Sequence, residues 1–270
     1  MSKNKKIATI ISLSLLGISL TPFYQSLAAE DAKNLTGKGN ITYETSDIET
    51  PPVDPEHPEK VVDPGTEYTK TTGLLRFDMI PAFHFGAQEI SKKDMVYSVN
   101  AQLFMDDTPA RPNYIQITDN RGTLDGWEVS VKQDTPFESQ KDKTKILKGA
   151  VLSFDKQWLN STMPKDTQPT VMKDAIKMDE VGASYPIAKA EQGKGAGTWV
   201  IPFGSTGEVE GQEKTLSPLL NADGKPVTDA SFNNKPIYKN SGIQLFVPGA
   251  IQKDPVKYKT VLTWTLSELS

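Results

Sequence analysis

The 270-residue chain contains no cysteine. That excludes disulfide staples, thiolate metal sites and cysteine nucleophiles together. Histidine is nearly absent as well, with only His57 and His84. His57 lies among prolines and charges, where nothing holds a ring in place. His84 stands between Phe83 and Phe85, a setting typical of a half-buried strand or turn residue rather than of a general base. No serine sits in a Gly-x-Ser-x-Gly elbow. No His-Glu-x-x-His pair marks a zinc helix, and no Gly-x-x-x-x-Gly-Lys-Ser/Thr loop is present to cradle phosphate. Positive charge is in deficit, 30 Lys+Arg against 34 Asp+Glu, for a net charge of -4. The counterion release that drives nucleic-acid binding has no basis in such a chain, so no nucleic-acid partner is expected.

Long apolar runs are also missing. The longest, residues 7–20, carries Thr9, Ser12 and Ser14, and a spanning helix needs about 20 apolar residues. The run follows Lys3, Lys5 and Lys6 and precedes Pro22 and the small residues Ser26, Ala28 and Ala29. This is the order of a secretory signal peptide, with cleavage expected after Ala28 or, as the near rival, Ala29. The sequence thus divides into a signal peptide (1–28), a Pro-rich acidic tether (29–69) and a β domain (70–270). Five prolines between positions 51 and 64, set among charges, argue against helix or central strand there. The segment reads as an extended, flexible spacer or a floppy terminus. After Leu266 no apolar tail and basic cluster follow. The expectation is therefore retention at a surface by non-covalent contacts.

From about residue 70 the texture is short alternating runs between Gly, Pro, Asn and Asp. Met95, Tyr97, Val99, Ala101 and Leu103 alternate, with Ser98, Asn100 and Gln102 between them. Trp127, Val129 and Val131 alternate with Glu128, Ser130 and Lys132, and Tyr258, Thr260, Leu262, Trp264 and Leu266 face one way, opposite Lys259, Val261, Thr263 and Thr265. Period two over many segments is the mark of half-buried strands. The expected fold is all-β, a sandwich-like or barrel-like single domain with at most one or two short helices. The best helix candidate is residues 171–181, with Val171, Ala175 and Met178 roughly on one face. Residues 155–197 and 204–239 read as two long loop excursions.

Carboxylates are the remaining source of chemistry. Asp106–Asp107 and Asp179–Glu180 are adjacent pairs among polar loop residues, where solvated charge is the default. A glycosidase needs two carboxyls facing across a cleft, about 5 to 9 Å apart. The run from Asn221 to Gly224 echoes a calcium loop but lacks its first Asp and terminal Glu. No catalytic residue, metal or cofactor is expected.

The tryptophans carry more information. Trp127 opens one strand directly after a turn, and Trp264 lies on the last one. Each is followed two positions later by an aliphatic residue, Val129 and Leu266. Both rings suit core packing first, and both also suit an exposed aromatic platform for the C–H faces of sugars. Trp158 and Trp199 suit either role, and Trp199, beside turn glycines, is placed near a surface. The candidate contact residues are Trp127, Val129, Trp264, Leu266 and Trp199.

These residues resemble the WxL-domain surface proteins of low-GC Gram-positive bacteria. The distal Trp-x-Leu motif is intact as Trp264-Thr265-Leu266. The proximal one is similar in Asp119-Asn120-Arg121-Gly122 and in Gly126-Trp127-Glu128-Val129, with Val129 where the family has leucine. The segment from Gly73 to Gly86, that from Gly149 to Phe154 and that from Gly197 to Gly204 resemble the family too. The resemblance implies a secreted protein of the cell wall or cell surface that attaches non-covalently to peptidoglycan or another wall polymer. It also implies, as the alternative, a structural or adhesion subunit bound to membrane-anchored surface proteins or to host matrix protein.

Overall fold

The structure is a computed structural model that describes residues 40–42 and 45–269. The segment read as a signal peptide lies outside the described residues. Residues 40–42 are exposed and in no strand. Everything else described here belongs to the body that begins at Glu44.

Nine strands carry the architecture of that body. They are β1 Leu75–Pro81, β2 Met95–Asn100, β3 Tyr114–Asp119, β4 Trp127–Gln133 and β5 Val151–Phe154, then β6 Ser184–Ala190, β7 Gly197–Pro202, β8 Tyr238–Val247 and β9 Leu262–Glu268. Their pairings are antiparallel throughout. One sheet runs Tyr68–Thr69, β1, β3, β7. A second runs β9, β4, β6, Thr170–Val171. A third runs Leu216–Pro218, β8, β5, Ile176–Met178, with β2 also paired to β8. None of them closes on itself, so of the two expected forms the fold is sandwich-like and not a barrel.

The alternation in sequence is the cause of this layering. In β4, Trp127, Val129, Val131 and Gln133 are buried while Glu128, Ser130 and Lys132 are half-exposed. The buried rows of the three sheets meet in one core, where Phe77, Ile117, Trp127, Leu152, Ile201 and Leu245 are all members. Each such side chain contributes about 1.5–3 kcal/mol by leaving water.

The helix expected over residues 171–181 does not form. Thr170–Val171 pairs with β6 and Ile176–Met178 pairs with β5. Ile176 and Met178 are buried around an exposed Lys177, which is a period of two. The described residues contain only two single-turn 3-10 helices, Lys165–Thr167 and Ala230–Phe232. Nor are the two excursions structureless: the first contains β6, and the second contains Leu216–Pro218.

A further correction concerns residues 50–64. They are not a free spacer but a strap laid over the outer face of the first sheet. Val53, Asp54, Glu56 and Val62 are buried. Strand β3 is consequently buried on both faces. Ile115 and Ile117 enter the main core. Tyr114 joins Val53, Val62, Met79, Phe104 and Val200 in a second cluster under the strap. Gln116 accepts the Val53 N–H at 2.9 Å and donates to the Pro51 carbonyl at 3.0 Å.

The strap's charges are answered from elsewhere in the chain. Arg111 forks onto Asp54, and Glu56 accepts from the Ser205 hydroxyl and from the Thr206 N–H and hydroxyl. Buried Arg76 pairs with Asp78 at 2.8 Å and donates to the Ile48 carbonyl at 2.9 Å. Burial raises the Asp78 carboxyl above its ordinary pKa, outweighing its bonds from Thr118 and Gln116 and the charge of Arg76. Proline keeps residues 50–64 out of the long strands; the segment instead folds back on itself, with Val53 bridged to Val61 and the Asp54 N–H donating to the Lys60 carbonyl at 2.8 Å.

A candidate contact strand at the edge of the second sheet

The two tryptophan motifs are neighbouring strands. β9 pairs with β4 in an unbroken register in which Trp264 lies opposite Val131, Leu266 opposite Val129 and Glu268 opposite Trp127. Arg121, in the turn before β4, fixes the far end of this pair. Its guanidinium binds Asp119 at 2.8 Å and the Gly126 carbonyl at 2.8 Å, and forms an ion pair with Glu268 at 2.8 Å. One side chain thereby ties the end of β3, the start of β4 and the end of β9.

Trp127 is fully buried, and its indole N–H donates to the Gly195 carbonyl at 3.0 Å. Gly195 has φ +81°, and a Cβ there would lie 2.5 Å from the indole nitrogen and 2.4 Å from the Ala190 Cβ. Only glycine allows the loop to close over the ring. The glycine-rich run 192–197 is therefore a cover for Trp127. Trp199 is 2% exposed and donates to the Ala196 carbonyl at 3.0 Å. Trp158 is buried and donates to the Gly204 carbonyl at 2.8 Å.

These placements correct part of the expected site. Trp127, Val129 and Trp199 are core residues and present no surface to a ligand, because their strands turn those positions inward. No platform of two exposed rings exists. Trp264 and Leu266 differ: both are half-buried, packed against the core from its rim. The Trp264 ring meets Phe154 edge-on at 5.7 Å and lies tilted against Phe203 at 6.3 Å. Three of the four indole N–H groups bind carbonyls; that of Trp264 has no hydrogen-bond partner among the described residues. Thr263, Thr265 and Ser267 are exposed on the opposite face of β9.

The acidic pairs serve as turn builders. Asp106 accepts the N–H groups of Asp63 and Thr108, and Asp179 accepts the Tyr185 hydroxyl. Asn221 closes its own turn by accepting from Asp223 and Lys225. Among the described residues no group of three or more metal-ligating side chains converges. Arg121 and Gly195, which hold the motif strands in place, carry no signal of that role in the sequence. The Asp-Asn-Arg-Gly and glycine-rich runs announce turns, and nothing local says what those turns will touch.

An antiparallel β body of this kind, with one tryptophan strand sealed and its neighbour at a sheet edge, falls in the class of all-β sandwich-like domains. The chain belongs to the WxL domain surface cell wall-binding family, whose model matches residues 30–269. Neither a curated protein nor a solved structure matches it.

Proposed function

We propose that this wall-binding surface protein is a secreted, non-catalytic module that attaches reversibly to peptidoglycan, and that β9 supplies the contact through Trp264 and Leu266. The observation that carries this reading is the half-buried Trp264 ring with its unpartnered N–H. An apolar ring beside one open donor matches the mixed C–H and hydroxyl surface of a sugar. The family description, surface and cell wall-binding, supports the same partner.

Co-sedimentation with purified peptidoglycan sacculi tests it. Wild-type protein is expected to pellet, and Trp264→Ala, checked for cooperative unfolding, to lose at least about thirtyfold in affinity, the range of a binding hot spot. Undiminished pelleting of Trp264→Ala overturns the assignment of the contact. A protein that ignores stripped sacculi but pellets with protein-bearing envelope overturns the polymer, and the partner is then another surface protein.

A further inference from the structure

Strand β9 has a second side that β4 does not use. Asp134 N–H donates to the Val261 carbonyl at 2.9 Å, and Leu269 N–H to the Gly126 carbonyl at 3.4 Å. In an antiparallel ladder alternate residues point their main-chain groups to alternate sides. The odd-numbered residues from Val261 to Leu269 therefore bond to β4. Leu262, Trp264 and Leu266 direct their N–H and C=O groups to the open edge, and among the described residues no strand pairs with them there.

Open edges are normally blunted by bulges, prolines, charges or covering segments. Other edges of this fold follow that rule. β7 is covered by bridges from Gln157 and Asn160. β1 is flanked by Tyr68–Thr69 and carries a register shift between Phe77 and Met79. β6 is flanked by Thr170–Val171 and shifts register between Pro186 and Ala188. β2 begins just after Lys92, Lys93 and Asp94. β9 has none of these devices. Its register is unbroken, and its single charge, Glu268, is taken by Arg121.

The strand also reads the same in both directions, Leu262-Thr263-Trp264-Thr265-Leu266. A two-fold axis through Trp264 sets two copies antiparallel, with Trp264 facing Trp264 of the second copy. Leu262 then faces Leu266 and Thr263 faces Thr265. The positions with outward main-chain groups become the hydrogen-bonded pairs, as the ladder requires. Each of these facing pairs, from 262 to 266, matches apolar to apolar or hydroxyl to hydroxyl and carries no charge. We propose that β9 is a self-complementary edge through which two copies of this chain join the second sheet of each into one continuous sheet. A closed two-fold contact of this kind uses the same patch on both partners. The proposal does not depend on wall binding, and it is measured in solution without sacculi.

Sedimentation equilibrium of the secreted chain is expected to show a reversible rise in mean mass from monomer toward dimer with concentration. The double variant Thr263→Glu with Thr265→Glu places like charges directly opposite and is expected to stay monomeric. So is Thr263→Lys with Thr265→Lys. An equimolar mixture of the two is expected to associate again. Because the chain has no cysteine, Thr263→Cys and Thr265→Cys report the register separately. Mixed, they are expected to form the 263–265 disulfide at least about tenfold faster than either forms its own, since only facing pairs meet the geometry of the bond. A wild-type chain that remains monomeric to about 1 mM, the weak limit of specific binding, overturns the proposal. Dimers indifferent to both double variants, or disulfides without preference for the mixed pair, overturn it equally.

Discussion

Arg111 and Asp54, 57 residues apart in sequence, meet as a buried forked pair. The guanidinium Nε lies 2.9 Å and 3.1 Å from the two carboxylate oxygens, and Nη2 lies 3.0 Å from one of them. Its Nη1 also sits 3.3 Å from Glu56. One cation thus balances two strap carboxylates, helped by the hydroxyls of Ser205 and Thr206. Arg111→Met is expected to leave both buried carboxylates without a balancing cation and to cost about 3–5 kcal/mol. Urea unfolding at neutral pH measures it. A loss below about 1 kcal/mol contradicts the strap's docking.

Two glycines of one loop separate steric fit from backbone conformation. Gly193 and Gly195 both have positive φ, but a Cβ on Gly193 meets nothing within 4 Å. Gly193→Ala is expected to cost about 1–2 kcal/mol, the conformational penalty alone. Gly195→Ala adds a collision with Trp127 and is expected to cost more, with a changed near-ultraviolet signal from the displaced indole. Thermal unfolding of the pair with circular dichroism makes the comparison, and equal losses disprove the cover described for Trp127.

Val129, two residues after Trp127, is completely buried opposite Leu266. Val129→Leu inserts a methylene into a filled core and is expected to destabilise by about 1–3 kcal/mol. Pelleting with sacculi is expected to be unchanged once the folded fraction is equalised. Weakened binding by a folded Val129→Leu variant indicates that this inward position shapes the contact strand.

Removing residues 258–270 deletes β9, uncovers the edge of β4 and takes Leu262, Trp264 and Leu266 from the core rim. The truncated chain is expected to lose cooperative unfolding. A sharp urea transition in that truncate shows that β4, β6 and the other sheets are sufficient alone.

Alternation made most of the strands legible, because Trp127 to Val131 and Leu262 to Leu266 obey it without exception. β6 is harder to see: Pro186 and the small Ala188 and Ala190 interrupt the pattern, and its register shifts there. Val171, Ala175 and Met178 mimic helical spacing, while the strand shows only in the pair Ile176 and Met178. The strap was hidden for a different reason. Its prolines and acids have the composition of a spacer, and what docks it instead is Arg111, Gln116 and Ser205, all distant in sequence. Three of the five candidate contact residues, Trp127, Val129 and Trp199, proved buried. A Trp-x-aliphatic strand reads identically at a sheet's centre and at its edge, so neighbours decide whether a ring is sealed, as at Trp127, or left at the rim, as at Trp264.

The strap joins the sandwich through guanidinium, carboxylate and hydroxyl groups where many exported proteins of this size use sulfur bridges. Thiol reductants consequently find nothing to cut in this fold. Its clasp is a buried set of charged and hydroxyl groups that bulk salt screens only weakly, so the hold on the strap depends on the side chains of Arg111, Ser205 and Thr206 themselves.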